Sequence, residues 1–98
     1  MKPIRLLPDA RAEYDAAIDW YENRRKGLGV RFFQRIQKSF ELIRRAPHSF
    51  PVVHQDVHKL RVRGFPYIIP YQDLDDEVLV IAGFHSSRDP SQWKKRVR

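Results

Sequence analysis

Six residues in the second half of the chain carry side chains suited to chemistry on an anion: Lys59, Arg61, Arg63, Tyr71, His85 and Arg88. Lys59, Arg61 and Arg63 recur at period two, so an extended strand puts three cations on one face. Tyr71 supplies a phenol, His85 an imidazole, and Arg88 a guanidinium that can hold a phosphate or carboxylate through two parallel bonds. Brought into one concave patch, such a set can cut RNA without a metal. A base takes the 2′-OH proton, an acid serves the leaving oxygen, and Arg or Lys stabilises the charged phosphorus centre. Each residue also has a plainer reading, with Lys59, Arg61 and Arg63 as a solvated strand face and His85 as a structural hydrogen-bonder at a strand end. A second group, Arg88, Asp89 and Trp93, divides the same way: Arg88 binds an anion, or Asp89 caps a last short helix while Trp93 packs on the core.

Composition bounds what such a site can be. The 98 residues suit one domain, residues 1–98, and 42% hydrophobic against 32% charged residues describes a globular chain with a solvated surface. Nineteen Lys and Arg against twelve Asp and Glu give a net charge of +7, which favours encounters with anionic partners without specifying one. The chain contains no cysteine, so disulfides and thiolate metal sites are excluded, and His48, His54, His58 and His85 form no HExxH or comparable pair. No metal or cofactor is expected. The apolar run in Met1–Leu7 is too short for a signal peptide or membrane span, which predicts a cytoplasmic protein with no membrane contact.

The elements that must position these residues follow from hydrophobic spacing. Lys2–Leu7 reads as a strand at or near a sheet edge. Pro8 stops it, and Asp9 is the expected N-cap of a helix from Ala10 to about Asn23–Lys26, with Ala10, Tyr14, Ala17, Ile18 and Tyr21 on one stripe. Gly27 and Gly29 mark a turn. A second helix runs from Leu28 or Val30 to Arg45, with Phe33, Ile36, Phe40 and Ile43 on its stripe and Phe32 and Leu42 widening it. Two such helices make a hairpin whose apolar faces need a sheet to cover. His48–Gln55 reads as a loop. Val57–Arg63, Phe65–Tyr71 and Val78–His85 then form an antiparallel meander, the last strand apolar on both faces and therefore central. Pro70 lacks an N–H, so its strand needs a bulge or a free edge there. A short helix starts at Asp89–Pro90, and Lys94, Lys95, Arg96 and Arg98 form a basic tail.

The order strand, helical hairpin, three antiparallel strands, together with RVRGFPYIIPY at 61–71, EVLVIAGFH at 77–85 and HSSRDPSQW at 85–93, resembles the RelE/ParE superfamily of type II toxins. The resemblance covers essentially the whole chain. It implies an α+β fold, with an N-terminal strand, a helical hairpin packed on a mainly antiparallel four-stranded sheet, and a short C-terminal helix.

It also implies a toxin neutralised by a cognate, ParD-like antitoxin, with operator DNA bound only through their complex. FPYIIPY and HSSRDP look like ParE-type sequences, whose implied target is DNA gyrase and which are not enzymes. The alternative implied by the superfamily is a RelE-like, ribosome-dependent mRNA endonuclease, with Arg61, Arg63, His85 and Arg88 as its catalytic candidates. In the ParE reading, Arg61, Arg63 and Arg88 are the expected contacts to acidic antitoxin residues.

Overall fold

The computed structural model describes residues 1–97. Strand β1 (Ile4–Leu6) leads into α1 (Pro8–Arg24) and α2 (Leu28–Arg45), followed by a single 3₁₀ turn (Pro47–Ser49). Strands β2 (Val52–His54), β3 (Val57–Arg61), β4 (Tyr67–Asp73), β5 (Val78–Val80) and β6 (Phe84–His85) follow, then α3 (Ser91–Lys94). The sheet order is β1-β5-β4-β3-β2, with β6 alongside β4. All pairings are antiparallel except β1 with β5, because β1 enters the sheet before the helical crossover. The α+β architecture is the one expected. The strand count rises from four to six because Val52–His54, expected as loop, pairs with β3, and because the last long strand is split in two.

The split has a cause in the sequence. Ile68 pairs with Phe84 and Tyr71 with Val80, so Ile81, Ala82 and Gly83 lie opposite only Ile69 and Pro70. This is the bulge that Pro70 demands: it has no N–H to donate on that side, while its carbonyl accepts the Ile81 N–H at 2.9 Å. β4 is therefore an interior strand despite its proline, and it occupies the middle of the sheet.

The helical hairpin covers one face of the sheet, burying Ala10, Tyr14, Phe32, Ile36, Ile69 and Tyr71 among others. Val57, Ile68, Ile81, Phe84 and Trp93 pack on the opposite face, so α3 folds back on the core as expected. The buried Trp93 indole N–H has no acceptor among the described residues. On α2 the buried stripe is Gly29, Phe32, Ile36, Ser39 and Ile43. Phe33 and Leu42, expected to help form it, are about half exposed, and the stripe instead begins at Gly29, where α1 crosses closely. A Cβ on Gly29 would lie 2.6 Å from the Ile18 carbonyl oxygen. Gly27 takes φ +90°, and the Glu22 carboxylate accepts the Gly27 and Gly29 N–H groups at 2.9 and 3.0 Å, capping α2.

Helix α1 departs from expectation at its start. Pro8 is its first residue and Leu7 its cap; Asp9 lies in the first turn and makes no capping bond, because a proline with preset φ and no N–H suits that position. At the other end of the chain the N-cap of α3 is Pro90 and not Asp89, which sits one position earlier with its Oδ1 accepting the Ser91 N–H at 3.0 Å. The basic tail is not free: the Arg96 guanidinium clasps Glu13 on α1, with Nη1 and Nη2 at 2.9 and 2.8 Å from the two carboxylate oxygens. Arg98 lies outside the described residues.

Candidate functional site

The six residues singled out above do not form one patch. The fold divides them between a basic groove, an aromatic cleft, a buried tyrosine and an exposed lysine.

Arg61, at the end of β3, and Arg63, in the turn that follows, line a groove of about 500 Å³ against α2. The turn runs from Val62 to Phe65, with Gly64 at φ +84°, and the Val62 N–H donates to Tyr67 to close the β3–β4 hairpin. Across the groove stand Arg35, Lys38, Leu42 and Arg45 of α2. Their spacing of three, four and three puts them on one helical stripe, so this cationic row was readable in the sequence; only its position opposite Arg61 and Arg63 was not. Five cations thus line one groove, none paired with a carboxylate among the described residues. The single acid lining it, Glu41, already accepts the Arg44 guanidinium at 3.2 Å. Exposed Leu42 gives the groove an apolar floor.

His85 and Arg88 line a different cleft, of about 700 Å³, between α1 and the β4–β6 end of the sheet, and it shares no lining residue with the basic groove. His85 pairs with Tyr67 across the sheet, their rings edge to face at 5.2 Å. The turn after β6 is closed by the Arg88 N–H donating to the His85 carbonyl at 3.1 Å. Within it the Ser87 N–H donates to His85 Nδ1 at 3.1 Å, which assigns the ring proton of the neutral imidazole to Nε2. Burial raises the Tyr67 phenol above its ordinary range, and the nearby Arg88 charge opposes that rise.

Tyr71 belongs to neither. It is fully buried, stacks on His58 at 5.1 Å and donates its hydroxyl to the Pro47 carbonyl at 2.6 Å. Burial pushes its phenol up to about 12, with the Asp73 charge adding to the effect, so it is a structural group rather than a proton donor for catalysis. Lys59 is exposed and lines neither cleft. The concave patch expected to unite cations, phenol and imidazole is therefore not formed: its members lie in two separate clefts, in the core and on the exposed surface.

Two features of these surfaces were missed in the sequence. Trp20, off the apolar stripe of α1, is 54% exposed and lines the aromatic cleft, with the Arg24 guanidinium 4.5 Å from its ring centroid. Glu13 also lines that cleft, although its charge is met by Arg96. Among the described residues no cluster of His, Asp or Glu could hold a metal ion, and no helix is long and apolar enough to cross a membrane.

Comparison with known proteins follows the same lines. A chain of a structure described as the chromosomal ParDE TA system from P. aeruginosa superposes with a TM-score of 0.73 at 18% identity, covering 87% of this chain and 96% of that one. That likeness shows a shared fold. No curated protein sequence is significantly similar to the chain. The family model described as the ParE toxin of the type II toxin–antitoxin system, parDE, matches residues 4–90, nearly the whole sequence, and on that match the chain belongs to the ParE toxin family.

Proposed function

We propose that this ParE-family toxin inhibits DNA gyrase and is held silent by a ParD-like antitoxin seated in the groove between α2 and β3. The observation that carries the antitoxin part is the row of five unpaired cations, Arg35, Lys38, Arg45, Arg61 and Arg63, around exposed Leu42. An amphipathic segment that brings carboxylates to both walls and an apolar side chain to the floor complements that groove in charge and shape. Arg88, expected beside Arg61 and Arg63, lines the other cleft, so the antitoxin contact in this reading rests on the α2 cations instead.

The gyrase target is supported by the ParE family match. The ribosome-dependent nuclease reading needs Arg61, Arg63, His85 and Arg88 around one phosphodiester, and these residues lie in two clefts, with the buried Tyr71 hydroxyl committed to the Pro47 carbonyl. Purified chain is added to gyrase supercoiling of plasmid DNA and, in parallel, to translation of a defined message mapped by primer extension. Inhibited supercoiling with an intact message is expected. Ribosome-dependent cuts with normal supercoiling would replace this reading with the nuclease.

A further inference from the structure

The cleft that holds His85 and Arg88 has a chemistry of its own. Its floor is α1, where Ala12 and Ala16, one turn apart, leave nothing beyond Cβ, and Trp20 stands one turn further on. The α1 residues facing α2 are different ones, Arg11, Asp15 and Ile18, so this cleft opens on the flank of α1 away from the hairpin partner. Trp20, with the Arg24 guanidinium 4.5 Å from its ring centroid, and Tyr67 supply aromatic walls. At about 700 Å³ the cleft lies within the range of small-molecule sites, roughly 300–1,000 Å³.

Its free polar groups are a guanidinium, an imidazole and hydroxyls, all able to donate. Because Ser87 donates to His85 Nδ1, the imidazole presents Nε2–H. Arg88, the residue after Ser87 in the same tight turn, presents a guanidinium with no carboxylate partner among the described residues. The one lining carboxylate, Glu13, is consumed by Arg96 and by the Gly83 N–H at 3.1 Å, so it neither repels an anion nor serves as a free base. Aromatic walls beside a cationic, donor-rich rim match a planar base joined to a phosphate.

We infer that this cleft binds a nucleotide unit, with the base against Trp20 and Tyr67 and the phosphate held by Arg88 and His85 Nε2–H. A free nucleoside monophosphate and the end of a single-stranded nucleic acid share that chemistry. The inference is independent of gyrase and of the antitoxin groove. It concerns binding alone.

The test is NMR titration of the isotope-labelled full chain, following the Trp20 indole and His85 ring signals. Probes are adenosine 5′-monophosphate, ribose 5-phosphate, a short single-stranded oligoadenylate and an Asp/Glu-rich peptide. Saturable shifts with adenosine monophosphate are expected, weakened at least about tenfold when the base is absent and by similar factors in Trp20→Ala and Arg88→Ala. Arg61→Ala, in the other groove, should bind as the parent does. Tighter binding of the oligonucleotide than of the monophosphate identifies a strand as the source, and the reverse a free nucleotide. The inference is overturned by any of three results: no saturable shift up to about 5 mM, a Kd corresponding to about 3 kcal/mol; ribose 5-phosphate binding as well as the nucleotide; or shifts at Trp20 from the acidic peptide alone. Trp20 and Arg88 are exposed, and amide spectra of both variants establish that they fold.

Discussion

Glu13 and Arg96, 83 residues apart, close the molecule: the guanidinium meets both carboxylate oxygens, and through them α1, the β5–β6 bulge and the C-terminal turn are joined. The bulge frees backbone groups that the ladder would otherwise satisfy, and three of them find side chains. Arg96 Nη1 donates to the Ile81 carbonyl at 3.1 Å, the Tyr14 hydroxyl to the Ala82 carbonyl at 2.9 Å, and the Gly83 N–H to Glu13 at 3.1 Å. A defect imposed by Pro70 has thus become the docking point of α1.

Arg96→Ala leaves Glu13 and the Ile81 carbonyl without their charged partner in a partly buried setting. A loss of about 2 kcal/mol is expected, in line with hydrogen bonds to charged groups. Urea unfolding of Arg96→Ala, Glu13→Gln and the double variant gives the coupling, which should exceed about 1 kcal/mol. Additive effects would mean that the clasp is only a surface ion pair.

Gly83→Ala probes the close approach at the bulge. A Cβ there would sit 2.8 Å from ring carbons of Tyr14, a fully packed side chain that cannot swing away. Destabilisation of roughly 1–3 kcal/mol is expected from overpacking. A thermal midpoint equal to that of the parent would show that α1 yields at this point.

Tyr71 predicts an alkaline limit. Its folded phenol is raised from 10.0 to about 12, so the folded state keeps a proton that the unfolded chain gives up sooner. This contribution is fully present below pH 10 and is lost as the pH rises through 12. Stability measured at pH 9, 10 and 11 should fall, and Tyr71→Phe should flatten the slope while weakening the fold at neutral pH through loss of the bond to Pro47. An unchanged slope in the variant would assign the alkaline loss to other groups, Tyr14 first among them, since burial raises it well above its ordinary value.

Arg61→Ala with Arg63→Ala should weaken capture by an acidic antitoxin segment by about tenfold or more and reduce the dependence of affinity on salt. Lys59→Ala, outside the groove, is the control. Calorimetric titration at two salt concentrations separates the outcomes, and equal losses from all three substitutions would indicate a diffuse charge effect instead of a docked segment.

By itself the sequence determined most of the elements, though not β2 or the outward position of Phe33 and Leu42. Period-two and three-four spacing, Gly27 at the hairpin and Pro70 in β4 are local signals, each tied to one backbone geometry, and they sufficed for the α+β fold and even for a bulge. The family resemblance was legible in short motifs taken in order. What the tertiary structure decided was which polar side chains meet. Arg61 and Arg63 turned towards the α2 cations, His85 and Arg88 towards Trp20, and Arg96 towards Glu13, although nothing in their spacing distinguishes these partners. Strand residues far apart in sequence are brought together by register, and the register here shifts at the bulge. Helix α1 then lines one cleft and helix α2 the other, so one supposed cluster became two clefts with different chemistry.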